Sequence, residues 1–190
     1  MKILILSLTL LLQQRDDAAS VWRRVGAYQG VTSRDDRDLS DAQVEAIIKK
    51  LKTEKEVSEC EGFESTDSVL GQLQFQRLWL SSDNTEQVLV EAGPGCLRGG
   101  QGSNGAMWIV ELKRGRVTVL ASPAGGFVGY VYSVPITTGK GYRDIVVGWH
   151  LSASEAGLAY FRFDGTQYRK LSQATARWND DGKQTIVPAK

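Results

Sequence analysis

Between Leu73 and Leu171 the chain strings together eight short runs rich in Val, Ile, Tyr, Phe and Trp, each bounded by Gly, Asp, Asn or Ser. They are Leu73–Leu80, Gln87–Glu91, Met107–Leu112, Arg116–Ala121, Phe127–Ser133, Asp144–Trp149, Leu158–Phe163 and Gln167–Leu171. β-Branched and aromatic side chains suit a pleated surface, and runs this short are strands rather than helices. Short connections make sequence neighbours pair antiparallel. The expectation is a mainly β protein: an antiparallel meander shaped as a curved sheet, a sandwich or a small barrel. Two connections read as tight hairpin turns, Asp164-Gly165 and Lys113-Arg114-Gly115. In such turns, residues with positive φ match the strand twist.

Ahead of the strands, one N-terminal amphipathic helix is expected over residues 40–52. Ser40 is placed to cap it, Gln43 stands at the capping-box position, and Leu39 with Val44 forms a staple. Val44, Ile47, Ile48 and Leu51 recur at helical spacing and give one apolar stripe.

The N-terminus carries an export pattern. Lys2 precedes the apolar run Ile3–Leu12, too short to span a bilayer, and Ala18-Ala19-Ser20 offers small residues for cleavage. Residues 1–20 therefore read as a signal peptide and the protein as periplasmic or secreted, with no stable membrane span in the mature form. Residues 21–38, which include Ser33-Arg34-Asp35-Asp36-Arg37-Asp38, read as a charged flexible arm, 39–176 as a single domain and 177–190 as a C-terminal tail. Outside the cell the cysteines Cys60 and Cys96 are expected to pair, since two allow only one connectivity. With one histidine in the chain, a zinc site lacks ligands, and neither metal nor cofactor is expected. The near balance of 23 basic and 22 acidic side chains gives no field to draw the protein onto nucleic acid.

Six glycines crowd into Gly93–Gly105, between two strands. A Walker loop needs a Lys followed by Ser or Thr, and a dinucleotide loop needs a helix after it; neither is present. The stretch reads as a long connection tethered through Cys96, or as a binding loop in which Arg98 is the candidate contact. A second candidate is the face shared by Tyr160 and Arg162, opposite Ala159, Phe161 and Phe163. The aromatics Trp79, Trp108, Trp149, Trp178, Tyr130, Tyr132, Tyr160 and Tyr168 read first as core and second as a recognition stripe.

Catalytic signals are sparse. His150 has Ser152, Ser154 and Glu155 close by, but on one loop, and no GxSxG elbow is present. The carboxylates Glu61, Glu64, Asp83, Glu86, Glu91, Glu111, Asp144 and Glu155 have no spacing that selects an acid–base pair. No catalytic residue is assigned.

The stretch Gly139-Lys140-Gly141-Tyr142-Arg143-Asp144-Ile145-Val146-Val147-Gly148 resembles the GDGYxDIVVG core of FG-GAP and related propeller-type repeats, and Leu80–Val90 looks like a more degraded copy. From Leu73 to Leu171 the chain is similar to small exported bacterial proteins that carry such a degenerate unit. The family's calcium loops are acidic, whereas Lys140 stands at an acidic position here, so the resemblance does not imply calcium binding. Together these readings give an exported, non-enzymatic binding protein whose partner is a protein or glycan of the cell envelope. The alternatives are a periplasmic inhibitor of a lysozyme-type hydrolase, and a small carboxylate-dependent hydrolase.

Overall fold

The structure, a computed structural model, describes residues 21–25, 34–35, 39–60, 65–82, 85–98, 104–136 and 138–189. The leader expected at residues 1–20, most of the charged run at 33–38 and residues 99–103 of the glycine loop lie outside the described residues.

A two-residue strand, β1 (Arg34–Asp35), precedes three helices: α1 (Asp41–Leu51), α2 (Lys55–Glu59) and α3 (Thr66–Gly71). Ser40 and Gln43 exchange the reciprocal bonds of a capping box at the start of α1, satisfying N–H groups that a helix start leaves orphaned. None of these helices is long and apolar enough to cross a membrane.

Four strands then form an antiparallel meander: β2 (Gln74–Leu78), β3 (Glu86–Glu91), β4 (Gly105–Lys113) and β5 (Arg116–Ala121). Arg114 (φ 51°) and Gly115 (φ 75°) form the tight turn between β4 and β5, and Lys113 faces Arg116 across it. A second meander follows, made of β6 (Val128–Ser133), β9 (Ile145–His150), β10 (Glu155–Phe163) and β11 (Tyr168–Trp178). A small hairpin, β7 (Thr138–Gly139) with β8 (Tyr142–Arg143), is inserted between β6 and β9. The edge strand β12 (Gln184–Pro188) pairs with β11.

The meanders join through β4, which pairs with β5 along its C-terminal half and with β6 only at Gly105↔Gly129 and Ala106↔Val128. The strand order β1-β2-β3-β4-β6-β9-β10-β11-β12 is open, so the sheet does not close into a barrel.

Burial on both faces explains why these strands read as nearly continuous apolar runs. Val88, Val90, Trp108 and Val110 pack on one side with Ile47, Leu51, Val57, Leu70 and Leu73 from the helical region. Leu89, Met107 and Ile109 face the other way and share one cluster with Ile145, Val147, Ala159 and Phe161 of the second meander. Among the described residues the buried members of that cluster come from both meanders and the segments between their strands, and none from the α-helices. Each fully buried aliphatic side chain stabilises by about 1.5–3 kcal/mol. The stretches Leu80–Val90 and Gly139–Gly148 occupy matching places, each leading into the second strand of its meander. They also touch: Ser81 bridges Tyr142, and the Arg143 N–H donates to the Leu80 carbonyl at 2.6 Å. Aligning Val88-Leu89-Val90 with Ile145-Val146-Val147 sets an outward residue against an inward one at each step.

Four expectations are corrected. Tyr160 is fully buried rather than displayed, because Val21, Trp22 and Val25 cover its face of the sheet. Residues 21–25 are thus core and not arm: Trp22 meets Tyr160 edge-on with ring centroids 6.0 Å apart, and its Nε1–H donates to Ser172 Oγ at 2.8 Å. The Asp164-Gly165 pair sits in a four-residue loop, since Phe163 pairs with Tyr168. Asp164 Oδ1 accepts the N–H groups of Thr166 and Gln167, which draws the loop wider than two residues. At the C-terminus, β11 runs on to Trp178 and β12 occupies part of the supposed tail.

Candidate functional site

A cleft of about 650 Å³ opens where the meanders meet, within the range that holds small ligands. Alternating strand directions bring to this one end the C-termini of β3, β9 and β11 and the N-termini of β4, β6 and β10. Those ends contribute Glu91, Tyr130, His150, Glu155 and Trp178, and the approach to β4 contributes Arg98.

Each side chain is held by an identifiable cause. Tyr130 faces Gly148 across the β6–β9 pair, and with no side chain opposite, its ring lies over the glycine and reaches His150 at a centroid distance of 5.0 Å. Gly129, with φ 122°, approaches the Gly148 carbonyl so closely that a Cβ there would sit 2.0 Å from the oxygen. The His150 backbone is clamped by Asn104, whose Oδ1 accepts its N–H at 2.8 Å. Asn104 Nδ2–H also donates to the His150 carbonyl, at 3.3 Å. Glu155 faces Arg177 across the β10–β11 pair and is ion-paired with it at 2.8 Å. Trp178 is fixed by donation of its backbone N–H to the Ser154 carbonyl at 2.9 Å.

The glycine loop delivers Arg98. Cys96, two residues upstream, is bonded to Cys60 with Cα atoms 5.8 Å apart, as expected. Arg98 bridges Gly105, and the Ala106 N–H donates to the Leu97 carbonyl at 2.8 Å, so both ends of the loop are tied down. A smaller polar recess of about 180 Å³ adjoins the cleft and shares Glu91, Arg98 and Gly129 with it.

Burial raises the Glu91 pKa above its ordinary value, and the nearby Arg98 guanidinium pulls it partly back. A carboxyl raised on folding lowers stability above its folded pKa and costs nothing below its unfolded pKa. Glu91→Gln should therefore raise Tm at pH 7, and the gain should vanish below about pH 4.5, as read by thermal melts across pH.

Of the three binding candidates named from sequence, Arg98, Tyr160 and Arg162, the cleft takes in Arg98 alone. Tyr160 donates its hydroxyl to Asp144 Oδ2 at 2.7 Å, and Arg162 Nη2 is 2.9 Å from the same oxygen, so both serve a buried network. Glu86 pairs with Arg77, and Glu111 accepts from the Tyr142 hydroxyl. Of the eight carboxylates weighed, the cleft gathers Glu91 and Glu155. Glu61, Glu64 and Asp83 lie outside the described residues. Among the described residues no cluster of His, Cys, Asp and Glu has the makings of a metal site. Sequence reasoning did not assemble Glu91, Tyr130, His150 and Trp178, because only strand register shows that these strand ends coincide.

No family model, no curated protein and no solved structure matches this chain.

Proposed function

We propose that this is an exported, non-enzymatic binding protein that engages a protein or glycan of the cell envelope, or of the space outside it, through the cleft at the meander junction. The observation that carries the reading is the convergence of Arg98, Tyr130, His150 and Trp178 on one open cleft. Aromatic faces beside a guanidinium are the side chains that dominate recognition surfaces. Export is supported by the leader-like residues 1–20 and by the Cys60–Cys96 bond, a pairing that persists in oxidising compartments. The resemblance to propeller-type repeats draws support from the matching places of the two similar stretches. The helix over residues 41–51 completes the fold as the outer cover of the first meander.

The test is capture of a ligand from solubilised envelope material on the immobilised protein. Arg98→Ala with His150→Ala, both exposed positions, should weaken capture at least tenfold, taking ~1.4 kcal/mol per decade, with Tm unchanged. Undiminished capture by that variant would remove the cleft from the function. A second reading, a small carboxylate-dependent hydrolase, is favoured by one observation, the presence of Glu91 and Glu155 in the same cleft. Turnover of an envelope glycan that disappears in Glu91→Gln, with the fold intact, would replace the first reading with the second.

A further inference from the structure

We infer that the cleft takes a glycan bearing a carboxylate, an acidic sugar whose ring lies on the aromatic faces while Arg98 receives the acid group. The inference rests on the binding reading above and names the chemistry of its ligand.

Strand pairing leaves little room for one mode of peptide recognition. A peptide bound by strand addition needs an open edge. Of the long strands that end at the cleft, β3, β9, β10 and β11 lie between two neighbours, and β6 pairs with β9 but meets β4 only at Val128 and Gly129. A peptide held by a side-chain anchor needs a closed apolar pocket. This cleft is instead open, with polar groups set among its rings.

Those groups fit a sugar. Tyr130 and Trp178 are half-buried, each with ring surface left for the C–H face of a pyranose. Sugar hydroxyls donate and accept together, and the cleft supplies acceptors in Glu91 and Glu155 and two-way partners in His150 and Ser152.

Arg98 fixes the charge of the ligand. Arg98 is exposed, and among the described residues it shares no direct ion pair, its charge acting on Glu91 at longer range. The other arginine near the cleft, Arg177, is already paired with Glu155. A guanidinium presents two parallel N–H groups that match a carboxylate. The small polar recess beside Arg98, lined by Gln74, Glu91, Gly105 and Gly129, has room for such a group next to the sugar ring, with the guanidinium set between the ligand's acid and Glu91's.

Two sources of this chemistry are distinguishable: muramic-acid glycan of the cell wall and uronic-acid glycan from outside. Calorimetric titration of the full mature protein would use a muramic-acid-containing disaccharide, tetragalacturonate, and the carboxyl-reduced form of each. The expected result is that at least one acidic form binds and that its reduced form binds at least tenfold more weakly; whichever acid binds tighter identifies the source. Arg98→Ala should erase the difference between acid and reduced forms, and residual binding of both should survive. Equal affinity for acid and reduced forms in the unaltered protein overturns the inference. So does the absence of glycan binding, and in that case an envelope protein captured with Arg98 and His150 dependence leaves the binding reading standing. Failure of both assays removes both.

Discussion

Asp144→Ala should lower the unfolding free energy by about 3 kcal/mol, the lower end of what breaking a buried ion pair costs, measured by urea denaturation. Asp144 is fully buried, and its carboxylate accepts from the Tyr160 hydroxyl and from Nε and Nη2 of Arg162. Removing it takes from the Tyr160 hydroxyl and the Arg162 guanidinium the buried carboxylate that they share. The lower end applies because the Arg162 side chain keeps 27% of its surface in water and is partly resolvated. Adding Arg162→Met to Asp144→Ala should recover part of the loss, because the orphaned charge leaves with it. If the double variant is no better than the single one, the loss comes from packing rather than from charge.

Replacing both Cys60 and Cys96 by Ser should cost about 3–4 kcal/mol, the loop-closure entropy of a cross-link at this spacing. The bond spans a sequence separation of 36 and ties the end of α2 to the glycine loop. It also fixes the approach to Arg98, so ligand affinity should fall with stability. Reduction of the native protein, followed by denaturation and by ligand titration, separates the two effects. A stability loss without an affinity loss would show that the backbone bridge between Arg98 and Gly105 is anchor enough.

The strands were legible because their residues carry the signal themselves: Val88–Val90 and Ile145–Val147 are apolar at every position, as strands buried on both faces must be. The disulfide was legible because two cysteines have a single pairing. Alternation correctly put Tyr160 and Arg162 on one face, but it is silent about what covers that face. The cover, Val21, Trp22 and Val25, sits at the far end of the sequence in a segment whose charges suggested solvent. At Asp164 a side chain outcompeted the short turn by capturing two backbone N–H groups. In β12 only alternate residues are half-buried, and Pro188 is tolerated at an edge that needs no N–H there; neither feature announces a strand. Arg98 stands out in sequence only through the loop that bears it. The residues that share its cleft come from strand ends distant in sequence, and their meeting depends on register.

The Trp22 anchor bears on the order in which the chain can fold. Each meander assembles from strands near one another in sequence, whereas Trp22 reaches Ser172 across 150 positions of sequence. Closing so long a loop is slow compared with hairpin formation. During synthesis, the segment that seals the second meander is made first and docks last. Until β11 emerges, Tyr132, Val146, Leu158 and Tyr160 have no lid, and a nascent chain shows a sticky apolar face to its surroundings. The interval before Trp22 seats is when that apolar face is most open to self-association.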